Sequence, residues 1–502
     1  MNDGSTSVEL ADSLRALVSR LSPGDRLPSS RELIKKYRVG PATVARAIAA
    51  LAAEGAVVTR PGSGTFAAQR LRDTVGSSDT DTDWQTVALT DRAVDTHLIA
   101  DPLGPPPAGT ITMDGGYVHR SLQPTGALSA ALARAARRPD VWDRAPAGGL
   151  TALRTVFARI VGGSVAPQDV LVTAGGQSAL SIAFRAIAGP GSPVLVESPT
   201  YPRALAAARA AGLRPVPVPL DADGLRPDLL ADAFAMTGAR LLYCQPTFQN
   251  PTGTVLAPER RRQVLDVARA SGAFVLEDDF ARHLGHGGTV PRPLIADDRD
   301  GTVVHVTSLT KPAAPSLRIG ALVARGPVME RMRAVRLVDD FFVTRPLQEA
   351  ALEVLSSPTW ERHLRSLGTA LRERCAVLAA AVTQEIPDAT LAGMPTGGLQ
   401  LWIRLPPGVD DTVLTSAARQ RGVAVSAGSR YFATEPPAAH LRIGFAATAD
   451  HTELTEGARR LGTALTDLDP KDGPGGGTGL GSQKSTAPPR RARQHETTLH
   501  DQ

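Results

Sequence analysis

Only two cysteines, Cys244 and Cys375, occur in the 502 residues, and they lie far apart in the chain. That scarcity excludes a disulfide framework and a zinc site with metal-type cysteine spacing, and it points to a reducing compartment. Aromatic residues are sparse too, at 4%. No apolar run is long enough to cross a bilayer, and the N-terminus lacks the apolar core of a secretory signal. The expectation is a cytoplasmic protein with no membrane partner. The net charge is small, +5 with histidine neutral, and does not by itself imply a nucleic-acid partner. Its distribution is more telling. Residues 1–70 carry Arg15, Arg20, Arg26, Arg31, Lys35, Lys36, Arg38, Arg46, Arg60 and Arg70 against fewer acids. The next stretch turns acidic with Asp73, Asp79, Asp81, Asp83, Asp91, Asp95 and Asp101. The remaining composition, 42% hydrophobic and 21% charged, is that of a globular protein of two or three domains.

The basic segment has a pattern of its own. Leu10, Leu14, Leu17, Val18 and Leu21 recur at helical spacing, and Ser22-Pro23-Gly24-Asp25 breaks that helix. Ser29 or Ser30 can cap a second helix reaching about Tyr37, with Leu33 and Ile34 inward. Gly40-Pro41 opens a third, since proline suits the first helical position, and Val44, Ala47, Ile48 and Leu51 form its apolar stripe up to Gly55. Val57–Arg60 and Thr65–Ala67 flank Pro61-Gly62-Ser63-Gly64 as a short hairpin. Three helices and a two-stranded wing suit a winged helix-turn-helix, although a generic small bundle would share the periodicity.

The stretch LSPGDRLPSSRELIKKYRVGPATVARAIAALAAEGAVVTRPGSGTF closely resembles the DNA-binding domain of the GntR family of bacterial regulators, over nearly all of residues 8–68. The resemblance implies that Arg31, Thr43 and Gly62 touch double-stranded DNA, with Arg46 and Arg60 as phosphate contacts. There is one departure. Gly40-Pro41 stands where the family usually has a hydroxyl residue followed by arginine, which removes two contacts and weakens the expected base readout.

The rest divides by composition. Residues 1–69 form the first domain, and 70–110, acidic and then rich in proline and glycine, read as a flexible linker. Residues 111–468 form the large domain, and 469–502, with a glycine run and Pro488-Pro489-Arg490-Arg491, read as a disordered tail. Within the large domain, apolar runs at Val170–Thr173, Val194–Glu197, Leu241–Cys244, Phe274–Glu277, Val303–Val306 and Ile319–Val323 alternate with helical segments. Such alternation predicts an α/β fold, a mainly parallel central sheet with helices on both faces.

Chemistry concentrates where these runs end, the edge at which open α/β sheets bind ligands. In VVHVTSLTKPAAPSLRIG, Lys311 follows a strand and a polar turn, and Arg318 comes seven residues later. An amine can hold an aldehyde as a Schiff base, and a hydroxyl with a guanidinium can hold a phosphate. Taken alone, Lys311 would be a solvated loop lysine. Four other stretches give it company. VLVTAGGQSAL breaks at Gly175-Gly176 and starts a helix near Gln177, offering N–H groups to an anion. VESPTYPR ends at Tyr201 and Arg203, a ring that can stack on a flat ligand or simply pack at a turn. YCQPTFQNPTG places Asn250 in a turn, and FVLEDDF ends an apolar strand on Asp278 and Asp279. A carboxylate at such a strand end demands a cationic partner, and a protonated pyridine nitrogen is one.

In that order the stretches resemble the fold-type I aminotransferases that bind pyridoxal 5'-phosphate. Joined to a GntR-like domain, the whole chain is similar to the MocR subfamily of transcriptional regulators. The resemblance implies a smaller C-terminal α+β subdomain and a homodimer. It also implies that Lys311 forms the internal aldimine, Asp278 pairs with the ring nitrogen, Asn250 meets the phenolic oxygen and Tyr201 stacks. Gly175, Gly176, Gln177, Ser308 and Arg318 would surround the phosphate. Arg442, in HLRIGF, matches the arginine that grips a substrate carboxylate, with Arg203 assisting. The family commonly has tyrosine where Phe280 stands, a hydroxyl residue at Gly176, and a tyrosine reaching the neighbouring subunit at Asp143. His283 and His286, three apart, have no third ligand in view and read as loop histidines. The function implied is regulation of DNA binding by an amine or amino acid that displaces Lys311 as an external aldimine. The alternative is an aminotransferase with an accessory DNA-binding domain, against which the missing tyrosines count.

Overall fold

The computed structural model describes residues 3–18, 21, 25–54, 56–60, 64–67, 84 and 107–468. The chain forms two compact units, Met1–Arg92 and Ala93–Gln502. Gly62, the Arg60 side chain, the tail and nearly all of the linker lie outside the described residues.

In the first unit α1 (Asp3–Val18), α2 (Ser30–Tyr37) and α3 (Pro41–Ala53) precede β1 (Val57–Arg60) and β2 (Gly64–Ala67). Ser29 caps α2 in a full capping box. Its hydroxyl accepts from Glu32 N at 3.4 Å, and the Glu32 carboxylate accepts from Ser29 N at 2.7 Å. Gly40 and Pro41 open α3 without a side-chain cap. Leu10, Leu14, Leu33, Val44, Ala47, Leu51, Val57 and Ala67 bury one shared core. The strands pair antiparallel from Val57↔Ala67 to Arg60↔Gly64, and the chain at Asp25–Leu27 runs along β2 through Leu27 N to Thr65 O and Ala67 N to Asp25 O, each at 2.8 Å. These are the three helices and wing that the spacing predicts.

After β3 (Ile111–Thr112), the second unit builds one large sheet from β4 (Val170–Thr173), β5 (Pro193–Ser198), β6 (Arg214–Asp221), β7 (Gly224–Leu225), β8 (Leu241–Cys244), β9 (Phe274–Asp278), β10 (Val303–Ser308) and β11 (Gly320–Val323). Their order is β4-β11-β10-β9-β8-β5-β6-β7. The run from β10 to β6 is parallel, whereas β11 is antiparallel to both its neighbours and β7 to β6. Alternation along each strand feeds two helical layers. Leu171, Val194, Val196, Leu241, Tyr243, Leu276, Val304 and Leu322 pack against the helices Gly176–Ile187, Pro202–Ala210 and Pro327–Asp339. Val170, Val172, Leu195, Leu242, Val275, Val303 and Val323 face the helices Thr151–Val161, Pro227–Thr237, Pro258–Ala270 and Arg345–Ser356.

The C-terminal subdomain is a four-stranded antiparallel sheet. It adds β12 (Thr390–Leu391), β13 (Gln400–Arg404), β14 (Val423–Ala424), β15 (Ser426–Ala427) and β16 (His440–Gly444), ordered β12-β13-β16-β15, with β14 pairing β3 in parallel. The helices Pro358–Glu385, Asp411–Gln420 and His451–Thr466 supply the rest of its core. Among the described residues no helix is long and apolar enough to cross a membrane.

Phe184 is fully buried between sheet and helix, its ring centroid 5.9 Å from that of Tyr243. Phe184→Ala is expected to lower the unfolding free energy of the large unit by roughly 3–5 kcal/mol, read from urea denaturation of the whole chain.

Candidate functional site

The parallel strands all end on the same edge, and there a cavity of about 420 Å³ opens. Asp278 ends β9, Ser308 ends β10 and leads to Lys311, the turn after β5 carries Tyr201 and Arg203, and the turn after β8 carries Gln245 and Asn250. Gly176 starts the helix after β4, with Gly175 as its N-cap. Arg442 reaches in from β16. Every residue expected to meet the cofactor or effector except Gly175 lines the cavity, and Gly175 lies beside Arg318.

Lys311 is half-buried, and its Nζ donates to the Gly116 carbonyl at 2.6 Å while lying 4.0 Å from the Tyr117 ring centre. Burial, then the charges of Arg442 and Arg203, lower its pKa to about 7. A large share of the amine is therefore neutral and nucleophilic near pH 7. Asp278 is buried, and loss of solvent raises it to about 6 even though Tyr243 and Gln245 donate to it.

The anion cradle is made of backbone and hydroxyls. Gly175 adopts φ +86°, and a Cβ there would come within 2.9 Å of Arg318 Nη2 and 3.1 Å of Thr310 Oγ1. Ser308 Oγ donates to Thr310 Oγ1 at 2.9 Å, and Arg318 Nη2 donates to the Ala174 carbonyl at 2.7 Å. Arg318 itself sits in the left-handed region, φ 51°, which turns its guanidinium back over the helix start. A helix N-terminus, two hydroxyls and a guanidinium fit a phosphate. The Lys311 amine in the same cavity fits an aldehyde.

Arg442 is buried and rigidly held. Its Nε donates to Asn250 Oδ1 at 3.1 Å, Nη1 to the Asp114 carbonyl at 3.1 Å and Nη2 to Gln400 Oε1 at 3.4 Å. Each terminal nitrogen carries a second N–H, the pairing that a carboxylate accepts bidentately. The Asn250 amide oxygen is thus engaged by Arg442, and its amide nitrogen is the end left for an acceptor in the cavity. Gln177 donates to the Arg203 carbonyl at 3.2 Å, tying the anion cradle to the Tyr201 turn.

Several contributors went unnoticed in the sequence. Gln245 and Thr310 sit inside stretches that had been singled out for other residues. Asp114, Gly116 and Tyr117 come from a glycine-rich segment bordering the linker, and Gln400, Arg430 and Tyr431 from the C-terminal subdomain. The departures also have places. Phe280 lines the cavity with a ring that donates nothing, and Asp143 is exposed outside it. His286 is buried with Nδ1 3.2 Å from Pro395 O and Nε2 3.1 Å from Gly398 O, and His283 lies edge-on to Trp360 with its pKa lowered to about 4 by burial. A second buried group, Glu277, Asp279 and His305, stands behind Asp278. Arg282 pairs with Asp279 and Arg261 lies 4.0 Å from Glu277, so guanidinium groups balance these carboxylates.

In the first unit Arg31 and Arg46 are exposed, whereas Thr43 is buried at 5% exposure. Thr43 therefore faces the helical core rather than standing proud of α3.

Two family models match: aminotransferase class I and II over residues 121–461, and the bacterial regulatory proteins of the gntR family over residues 6–67. A probable rhizopine catabolism regulatory protein MocR of Rhizobium meliloti is 28% identical, over 92% of this chain and 94% of its own. The 2-aminoadipate transaminase of Thermus thermophilus is 31% identical over 72% of this chain and 91% of its own. Among solved structures, the alpha-aminoadipate aminotransferase LysN of Thermus thermophilus, complexed with N-(5'-phosphopyridoxyl)-L-leucine, superposes with a TM-score of 0.68 at 29% identity. That match covers 72% of this chain and 93% of that one.

Because Lys311 is neutral above about pH 7 and protonated below it, the rate at which an aldehyde cofactor condenses with the ligand-free protein should rise about tenfold per pH unit below 7 and level off above. Stopped-flow absorbance checks this, and Lys311→Ala should show no borohydride-fixable chromophore at any pH.

Proposed function

This chain belongs to the aminotransferase class I and II family and binds pyridoxal phosphate, and on that premise we propose that it is a regulator whose hold on DNA responds to an amine or amino acid taken up at Lys311. That it is a DNA-binding transcriptional regulator of the MocR type follows from its gntR domain and from regulators similar along most of their length. When bound, pyridoxal phosphate supplies an aldehyde that takes up amines and a ring that withdraws electrons. The observation that carries the proposal is Lys311, its pKa lowered to about 7, in the wall of a cationic cavity of a chain that also carries a winged helix.

On this reading each side chain has one task. Lys311 is the attachment point, Asp278 faces the ring nitrogen, and Asn250 faces the phenolic oxygen. Tyr201 covers the ring, while Gly175, Gly176, Gln177, Ser308 and Arg318 hold the phosphate. Arg442 receives the carboxylate of an amino-acid effector, with Arg203 beside it. The cavity offers what those tasks need: a second N–H on each terminal nitrogen of a fixed Arg442, and a ring at Tyr201. In the cytoplasm, as a homodimer, Arg31, Arg46 and Arg60 would meet operator DNA with Thr43 and Gly62 near the recognition helix and wing.

A route for the signal is available within the second unit. The chain leaving residues 70–110 enters β3, which pairs β14, and then passes over the lysine, where Gly116 accepts from Nζ and Tyr117 lies against it. A ligand that removes Lys311 from that carbonyl changes the contacts of the segment leading directly back to the linker. Turnover is less well served. Phe280 offers no hydrogen bond to the cofactor oxygen, and Asp143 is exposed away from the cavity.

Retention of promoter DNA should fall steeply with salt, and Arg31→Ala should weaken it several-fold at fixed salt in an electrophoretic or anisotropy assay. Candidate amines should alter the visible spectrum and the DNA affinity together, with little keto acid formed. Steady keto-acid production without any change in DNA affinity would instead identify an aminotransferase carrying an accessory DNA-binding domain.

A further inference from the structure

Asp278 is held by two donors, Tyr243, which does not line the cavity, and Gln245, which does. Tyr243, on β8, is fully buried, and its hydroxyl donates to Asp278 Oδ2 at 2.8 Å. Gln245, two residues on, donates from Nε2 to the same oxygen at 2.9 Å, and its Oε1 accepts from Asn250 N at 3.2 Å. The Gln245 backbone N–H in turn donates to Glu197 at 3.1 Å. We propose that Tyr243 and Gln245 are positioning residues which, by donating together to Oδ2, keep Asp278 ionised and leave Oδ1 to the ring nitrogen of the cofactor. The proposal rests on the assignment of Asp278 to that nitrogen.

The physical case is one of competing effects. A carboxylate at this depth is disfavoured by lost solvation, and Asp279 next to it adds like charge, while Lys311 opposes both. Glu197 is close enough to add to the repulsion, but burial raises its own pKa to about 8, so at neutral pH it is largely uncharged. With two donors in place Asp278 reaches only about 6. Loss of either donor carries it toward or past neutrality, and a neutral acid does not hold a pyridine nitrogen protonated. Gln245 also couples two cofactor contacts, since the same side chain that fixes Asp278 fixes the Asn250 backbone. A tyrosine needed only to fill space at β8 would be replaceable by phenylalanine without consequence for the ring.

The test uses the full chain loaded with pyridoxal phosphate labelled with ¹⁵N in the ring, whose chemical shift reports pyridinium against neutral pyridine. Tyr243→Phe keeps the packing against Phe184, and Gln245→Met keeps the side-chain length. Each is expected to shift the pyridinium-to-pyridine ratio at neutral pH by about tenfold or more, the scale of one hydrogen bond to a buried charge. Thermal midpoints measured alongside separate this from lost stability, because a merely structural role moves the midpoint and leaves the ¹⁵N signal in place. Asp278→Asn is the reference. If it abolishes the pyridinium signal while both other variants retain it, the positioning role is overturned and the assignment of Asp278 stands. If Asp278→Asn itself retains the signal, that assignment falls and the inference with it.

Discussion

Everything in the large unit bears on one electrostatic constraint, a half-buried amine held among guanidinium groups. The cavity holds Lys311 with Arg203, Arg318, Arg430 and Arg442, against the carboxylates of Asp114 and Asp278. Loss of solvent, and after it the nearby charges of Arg442 and Arg203, disfavour the charged amine, and the pKa of Lys311 is lowered to about 7. The excess cationic charge suits a ligand bearing a phosphate, and the neutral amine suits an aldehyde. One composition thus creates the affinity for the cofactor and the reactivity toward it. The fold's contribution is to bring five separate strand ends and a C-terminal arginine to within reach of a single small molecule, on a sheet with a hydrophobic core on each face.

That constraint also explains which parts of the site could be read from the sequence. Residues at strand ends carry short, ordered signatures: a glycine pair, a tyrosine, Asn250, two aspartates, then the lysine and Arg318. Six apolar runs marked six strands of the large sheet, with ends that agree to within one or two residues. What stayed hidden had no periodicity to show. Arg214–Asp221 is a full strand although its sequence, RPVPVPLD, places proline at alternate positions. This is tolerated because β7 pairs only its last residues, which leaves most of its outer edge without a partner strand. Tyr243 and Gln245 looked like strand filler and a turn residue, since their importance lies in a hydrogen bond across to the neighbouring strand end, and no spacing encodes such a contact. In the small unit, the loose capping signal at Ser29 closes into a full box. Thr43 is turned inward by the phase of α3, the same phase that buries Val44 and Ala47.

The departures from the aminotransferase pattern make sense when weighed by what each task requires. Taking up an amine needs a lysine, a hold on the phosphate and a carboxylate for the ring nitrogen, and Lys311, Ser308, Arg318 and Asp278, the side chains proposed for these tasks, meet in the cavity. Repeated turnover asks more, because proton transfers at the ring must be fast and the cofactor oxygen must be held in each state. Phe280 contributes packing to that wall and no hydrogen bond. A sensor is under no such demand. For a sensor the occupied and empty states must differ in the contacts they make with the rest of the chain, since a ligand that binds both conformations equally shifts nothing.

The segment across the lysine supplies such a difference in principle. Met113 is bonded on both sides, its N–H to the Ala424 carbonyl at 2.8 Å and its carbonyl to Gly444 N at 2.6 Å, and His119 N bonds Ala446 O at 2.7 Å. Between these anchors, Gly116 and Tyr117 meet Lys311, and the glycine leaves space in which a Cβ would approach Nζ to 3.3 Å. A stretch pinned at both ends and touching a reactive group in the middle has few ways to relax. If Lys311 engaged a bound aldehyde, the Gly116 oxygen would lose Nζ as its donor and would have to pair elsewhere. The anchor on the N-terminal side is the β3–β14 pair together with the bond from Gly444 N to the Met113 carbonyl, and on the C-terminal side it is the bond from His119 N to the Ala446 carbonyl, so the segment is fixed on both sides of the lysine contact.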